Sequence, residues 1–265
     1  MAVEELVIES DPWLAEQLQR DVYTLRLSRE HVQFAHLRKI PVDSGKFNQL
    51  RELQSKPVFI SSRVSSSDAE HVDHVRFLEE HGFHLIDTSV QFDAFEKQIV
   101  FLPEQDGNSF REATPEDRKA VVDIARRSFR FSRFHLDTQI PNELANQIKG
   151  AWTENYFNGK RGDRMVVAER EGQIVGFLLT MPQGPVNRSI DLIAVDPKFQ
   201  GRGVARGMIR TEIETLPLPK YDIDSKDRWH LVGTQLANSA SIALYQKLGF
   251  ILTGSQYVFH FHGPL

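Results

Sequence analysis

From Met165 onward the apolar positions crowd into short runs. They are Met165–Arg170, Gln173–Leu179 and Ser189–Val195, each rich in Val, Ile or Leu and bounded by polar or Gly residues. Runs of this length and composition predict strands, and Glu171-Gly172 between the first two predicts a hairpin. Trp229–Thr234 and Phe250–Phe261 read as two more. Elsewhere the apolar spacing lengthens to that of helices. Thr114-Pro115-Glu116-Asp117 is a helix start, with a capping hydroxyl, Pro in the first turn and acids at the positive end, and the helix should run to about Ser128. Further helices are predicted over Pro141–Phe157, Gly203–Leu216 and Asn238–Leu248. Nearer the N-terminus, Val22–Leu27, Pro57–Ser61 and Phe83–Phe95 read as strands, and Ala69–His81 as a helix that Gly82 closes.

This is an α+β pattern. Phe101–Asn108, with Pro103, Gly107 and mostly acids and amides, is the best linker, so the expected domains are 1–105 and 106–265. Phe77-Leu78-Glu79-Glu80-His81-Gly82-Phe83 also resembles Leu244-Tyr245-Gln246-Lys247-Leu248-Gly249-Phe250, with Phe92 and Phe259 in register. Such joints are common, but the match also suits an N-terminal unit that is a degenerate half-copy of the C-terminal one.

Composition then narrows the chemistry. With 265 residues the chain can bury a good core, and with no cysteine it excludes disulfides, thiolate metal sites and a cysteine nucleophile. A net charge of −4 argues against nucleic acid or a membrane surface as partner. The acidic N-terminus and the lack of a long apolar run predict a cytoplasmic protein. Asn187-Arg188-Ser189 and Arg161-Gly162-Asp163 are short matches that carry little weight. His71, His74, His81 and His84 cluster, and His260 and His262 share a strand face. Neither group has metal-site spacing or a matched carboxylate, so no metal is expected.

Candidate chemistry lies between the third strand and the helix after it. Gly201 and Gly203 let backbone N–H groups approach a ligand, the helix N-terminus faces the same spot, and Arg202, Arg206 and Arg210 add positive charge. That is an anion site fit for a pyrophosphate, without the endings of a Walker or dinucleotide loop. Gln200-x-x-Gly203-x-Ala205 and Asn238-x-x-Ser241-x-x-Leu244-Tyr245-x-Lys247-x-Gly249-Phe250 together resemble the two signature motifs of the GNAT superfamily of acetyltransferases over about Phe110–Leu265.

The resemblance implies a GNAT fold, with a mixed central sheet flanked by helices. It also implies acetyl-CoA as co-substrate. The pyrophosphate would rest on Gln200, Gly201, Arg202, Gly203, Val204 and Ala205, and the pantetheine arm would pair with the backbone of Ile193, Ala194 and Val195. Tyr245 would protonate the leaving thiolate, or simply pack its ring in the core. A thiol pKa near about 8.5 lies below a phenol's near about 10, so no strong perturbation is needed. Asn238 can cap its helix, contact coenzyme A, or both. Asp191 can act as base or face solvent, and His135 and His230 are weaker candidates.

Ser128–Asp137 interleaves aromatic and basic residues. Arg130, Arg133 and Phe134 can bind a phosphate and stack on an acceptor, or the Phe rings can plug the core. Ser132-Arg133-Phe134, Trp152-x-x-Asn155 with Gly159, and Gly233-Thr234-Gln235 resemble dTDP-fucosamine acetyltransferases, which N-acetylate the 4-amino group of a dTDP-linked amino sugar. The expected acceptor is therefore a small-molecule amine on a nucleotide sugar, and the expected assembly a homodimer. A GNAT acting on peptide or small-molecule amines and a non-catalytic CoA-binding module are the alternatives.

Overall fold

The computed structural model describes residues 6–27, 45–69, 71–101, 107–215 and 228–264. The segment 102–106, which holds the expected domain boundary, and Leu216, the expected helix end, lie outside the described residues. In chain order the elements are β1 (Val7–Ser10), α1 (Pro12–Leu18), β2 (Asp21–Arg26), α2 (Gly45–Gln54), β3 (Val58–Ser65), α3 (His71–Glu80), β4 (His84–Phe95), β5 (Ser109–Glu112), α4 (Arg118–Ser128), α5 (Asn142–Phe157), β6 (Arg164–Arg170), β7 (Gln173–Gln183), β8 (Asn187–Val195), α6 (Val204–Glu214), β9 (Trp229–Gln235), α7 (Ser239–Lys247) and β10 (Ile251–His262). The expected strands and helices fall on these within a few residues. The elements β1, α1, α2 and β5 carry too few apolar positions to be read from periodicity.

The chain divides into two compact units. One comprises 1–89, 136–140 and 254–265; the other comprises 90–135 and 141–253. The first unit thus takes in the last strand of the chain, because residues 256–262 of β10 pair antiparallel with β3. In this unit β1 and β2 are antiparallel, and β2 and β3 parallel. Leu25, Leu50, Val58, Ile60, Leu78 and Phe259 centre its core.

In the second unit the order is β9-β8-β7-β6-β5, antiparallel except for β8 with β9. Strand β6 shows why its sequence lacks alternation. Met165 and Val167 enter one core beside α4, while Val166 and Ala168 enter another beside α6. A strand covered on both faces is apolar throughout. Helix α6 places Val204, Met208, Ile209 and Ile213 on one side, and α4 places Val121, Ile124 and Ala125 on one side.

The two helix–Gly–Phe–strand joints close alike. The Gly82 and Gly249 amides donate to the carbonyls of Glu79 and Gln246, and the Phe83 and Phe250 amides to those of Leu78 and Tyr245. Both glycines have positive φ, +78° and +90°, as a helix that ends in a left-handed residue requires. At Gly249 a Cβ would also run into the Gln98 carbonyl oxygen.

A buried polar chain crosses the first unit. His260 Nδ1 and His262 Nε2 both donate to Asp137 Oδ2, at 2.6 and 2.8 Å. The matched carboxylate that the sequence did not place beside His260 and His262 is therefore Asp137, and the ligand atoms of the three residues lie within 4.8 Å of one another. The guanidinium of Arg20 donates to His262 Nδ1 at 3.0 Å, which leaves the proton on Nε2. The Nε2 lone pair that a metal would need is thus occupied. Burial pushes the Asp137 carboxyl up, but the two imidazoles and the Gln139 amide outweigh it and hold it well below the usual carboxylate range. A depressed folded-state pKa means that this stabilisation is present above the ordinary pKa of about 4 and is lost as pH falls through the folded value. Replacing Asp137 by Ala leaves two buried N–H groups without their acceptor. We expect urea unfolding at pH 7 to show a loss of about 3 kcal/mol, a deficit that shrinks below about pH 4; an equal deficit at all pH values would refute the linkage.

Candidate active site

The site in the second unit follows from where one ladder stops. Strands β8 and β9 pair in parallel at Arg188–His230, Ser189–Leu231 and Ile190–Val232, and the pairing ends there. On its other side β8 stays paired to β7 as far as Val195–Gly176. The register of that second ladder slips between Leu179 and Thr180, which face Leu192 and Ile190 and leave Asp191 as the extra residue. This is a β-bulge, which bends a strand and raises its twist. Leu192 then joins the core beside α4, two positions after Ile190 has joined the opposite one. Beyond the bulge, the edge of Ile193, Ala194 and Val195 turned away from β7 has no ladder to β9.

A cavity of about 830 Å³ occupies this opening, lined by Ile190–Val195 on one side and Val232–Gln235 with α7 on the other. That volume suits a large small-molecule ligand. At one end is the turn Asp196–Gly203. The Asp196 carboxylate accepts from the Lys198 amide at 2.9 Å and from Arg127 at 2.7 and 3.0 Å. Burial raises its pKa, but these donors prevail and keep it below the usual range. Gln200 donates to the Val195 carbonyl at 3.1 Å. Gly201 and Gly203 have φ of +74° and +73°, and Gly203 starts α6 without a side-chain cap. The first-turn amides of α6 are thereby left to a ligand.

Among the expected cofactor residues, Ile193, Ala194, Val195, Gln200, Gly201, Gly203, Val204, Ala205 and Asn238 all line the cavity. Arg202 does not, since its guanidinium stacks on Phe199. Arg206 lines the cavity, whereas Arg210 pairs with Glu214 at 2.8 Å. Asn238 caps α7 by accepting from the Ser241 amide at 3.3 Å, and its amide nitrogen donates to the Thr234 hydroxyl at 3.2 Å.

Tyr245 lines the cavity from α7 and packs against Phe92 and Phe250. It is 1% exposed, and burial alone pushes its phenol above the usual range. The ring is core and the residue also borders the cavity, so the two readings of its sequence position combine.

Asp191 neither stands free as a base nor faces solvent. It lines the cavity, but Arg161 donates to both of its oxygens at 2.6 Å, and the Trp152 indole donates to Oδ2 at 3.2 Å. A carboxylate bound on both oxygens by a guanidinium is held in one orientation and holds its neighbours in place. The spacing from Asp191 to Arg161 and Trp152 gave no sign of this, because the two partners stand on a loop and a helix 30 and 39 residues away. His135 is held by Ser132 and Asn146, and His230 by Glu96; neither is part of the lining described.

The aromatic–basic segment divides in a way the sequence did not show. Phe129, Arg130 and Phe131 line the cavity. Arg133 and Phe134 do not: Phe134 is buried and the Arg133 guanidinium lies 4.7 Å above its ring. For Phe134 the expected stacking on the acceptor gives way to the other reading, a ring that plugs the core. Lys149 of α5 was missed. It is buried and lines the cavity, with Nζ 4.8 Å from the ring centre of Phe129 and 4.6 Å from that of Trp152. A lysine inside an otherwise apolar helix stretch was the available signal.

Comparison with known proteins agrees with this geometry. Residues 161–252 match the model of the acetyltransferase (GNAT) domain. A spore coat polysaccharide biosynthesis protein, SpsD, of Bacillus subtilis (strain 168) is 33% identical over 146 residues, which is 55% of this chain and 48% of that protein. The chain thus spans about half the length of this curated relative. A GCN5-related N-acetyltransferase from Sphaerobacter thermophilus superposes with a TM-score of 0.58 at 13% identity, covering 91% of this chain and 72% of that one. A conserved protein of unknown function from Staphylococcus epidermidis ATCC 12228 does so with a TM-score of 0.63 at 15% identity, covering 100% and 93%.

The Arg161–Asp191 pair can be tested directly. Arg161→Ala strands a buried carboxylate and should cost about 3 kcal/mol in urea unfolding. Arg161→Ala with Asp191→Ala should recover part of that loss; strictly additive losses would show that the pair is not coupled.

Proposed function

We propose that this chain, whose residues 161–252 match the acetyltransferase (GNAT) domain and whose fold is the GNAT fold, moves acetyl from acetyl-CoA directly to a primary amine, and that the amine belongs to a nucleotide-activated amino sugar. The observation that carries the transfer reading is the opened β8 edge, with uncapped helix amides at one end and Tyr245 on its wall. Acetyl-CoA, when bound, supplies the acetyl thioester. Residues Gln200–Ala205 would hold its pyrophosphate on backbone N–H groups. The backbone of Ile193–Val195 would pair with the pantetheine arm and present an N–H to the thioester carbonyl. Asn238 would add a coenzyme contact from the cap of α7.

In this reading the amine nitrogen forms the new C–N bond, the C–S bond breaks, and Tyr245 gives its phenolic proton to the sulfur. The proton lost by the amine balances the one Tyr245 must regain. Burial that raises the Tyr245 pKa keeps the phenol protonated across the working pH range and also makes it a weaker acid, so the transfer must be concerted with C–S cleavage. No histidine is part of the lining described, and its one carboxylate is bound by Arg161. The amine therefore sheds its proton to solvent, and the acid limb of the rate profile follows the amine's own pKa.

The sugar assignment is supported by the resemblance of three short segments to dTDP-fucosamine acetyltransferases and by a relative named for polysaccharide biosynthesis. An amine on a peptide or a small molecule is the alternative acceptor, and a non-catalytic CoA-binding module the alternative class. Purified protein given acetyl-CoA and a dTDP-linked amino sugar should release free CoA thiol. Tyr245→Phe should lower kcat by roughly 100-fold with acetyl-CoA affinity retained, and wild-type activity should show no alkaline loss below about pH 10. Turnover of polyamines or peptides but of no sugar nucleotide would overturn the acceptor. Acetyl-CoA binding with no turnover of any amine would favour the module.

A further inference from the structure

Charge along the cavity distinguishes one class of acceptor. Five charged side chains are in the lining: Arg130, Lys149, Arg206, Lys247 and Asp191. Four are basic, in a chain whose net charge is −4. Arg206 belongs to α6, behind the Gly201–Gly203 turn, at the end read above as the pyrophosphate site. Lys149 belongs to the other end. Its ammonium lies 4.6 Å from the ring centre of Trp152, and the same indole donates to Asp191, at the start of the opened edge. Asp191 to Val195 is four residues of strand, about 13 Å, so the two ends are well separated. At the Asp191 end the carboxylate is already bound by Arg161, which also stacks on Trp152 at 4.4 Å.

Among the lining side chains at that end, the one carboxylate is already bound, while Lys149 presents an ammonium to the cavity. A polyamine would bring cationic charge to this end and find its one lining carboxylate already bound to a guanidinium. An oxyanion would meet Lys149 in a place where little water screens it. Phe129 and Trp152 hold the ammonium between them, so its position is set before a ligand arrives.

We propose that Lys149, with Arg130 at the exposed rim, is an anion subsite that selects amines carrying a phosphate or carboxylate. This rests on the acetyl-transfer reading of the same cavity and goes further, since it names the second functional group the acceptor must carry. A nucleotide sugar satisfies it through its pyrophosphate, and an acidic amino acid would satisfy it through a carboxylate.

The test uses binding as well as turnover. Protein saturated with CoA, so that the pyrophosphate turn is filled, is titrated calorimetrically with dTDP in one arm and succinate in the other. Wild type should bind one of them, which identifies the oxyanion. Lys149→Met should weaken that binding by roughly 10- to 100-fold, and Lys149→Arg should retain most of it. In turnover, Lys149→Met should raise the acceptor KM with kcat changed by less than about threefold. Arg130→Ala, at the rim, gives a second variant if Lys149→Met fails to fold, and should weaken the same binding by a smaller factor. Equal affinity in wild type and Lys149→Met, or no binding of either anion, would overturn the subsite. If wild type fails to bind acetyl-CoA, the transfer reading fails by itself. The same titrations on ligand-free protein then still judge Lys149.

Discussion

The second unit depends on a ladder that stops. Backbone hydrogen bonds between β8 and β9 continue only to Ile190–Val232, and past that pair the edge of β8 is left with donors and acceptors to satisfy. A buried strand edge without partners is costly. A bulge at Asp191 turns the strand, and a cavity of about 830 Å³ opens beside it. The groups that would otherwise close a sheet are thereby kept for a ligand with peptide-like polarity. The extra residue of the bulge is also the one whose carboxylate Arg161 and Trp152 hold, so the distortion that opens the site is anchored from outside the strand.

That anchor also shapes the electrostatics. Were Asp191 unpaired, the acceptor end would be mildly acidic and would welcome cations. Bound on both oxygens by a guanidinium, it adds structure and little charge of its own, and Lys149 is the other charged group lining this end. At the opposite end positive potential comes from backbone: two residues of positive φ, an uncapped helix start, and an Asp196 turn that Arg127 keeps in shape. Tyr245, also in the lining, keeps a neutral phenol. In the proposed reading these features suit a thioester and an amine that each carry an anionic handle.

How much of this the sequence disclosed follows from the range of each interaction. The helices, the strands after Met165 and the Gly201–Gly203 turn are local, decided by periodicity, capping and φ, and they fall where the apolar runs and the glycines put them. Tyr245 and Asn238 lie within one helix motif and were legible for the same reason. Asp191–Arg161, Lys149 beside Phe129, and Asp137 beside His260 join residues 30, 20 and 123 positions apart. Nothing in the spacing of such residues forecasts their meeting. Phe134 stayed open between stacking on a ligand and plugging the core, because a loop's composition does not decide burial. In an alternating aromatic–basic stretch, either half can face the core, and here Phe134 does while Phe129 and Phe131 border the cavity.

The duplicated joint shows which part of the pattern is architecture and which is chemistry. In both units a helix ends in a left-handed Gly, the following Phe is buried, and the same two backbone bonds close the turn. Aligned on that turn, Leu78 of the first unit stands where Tyr245 stands in the second. Both carbonyls accept the bond from the following Phe, and both side chains are buried. A buried Leu and a buried Tyr fill a core comparably, and they differ in one hydroxyl. The first unit therefore keeps the packing that such a joint requires and lacks the proton that the proposed transfer would use. The apolar residue at this place identifies the hydroxyl of Tyr245 as an addition that the fold itself does not demand, since a helix–Gly–Phe–strand joint closes without it.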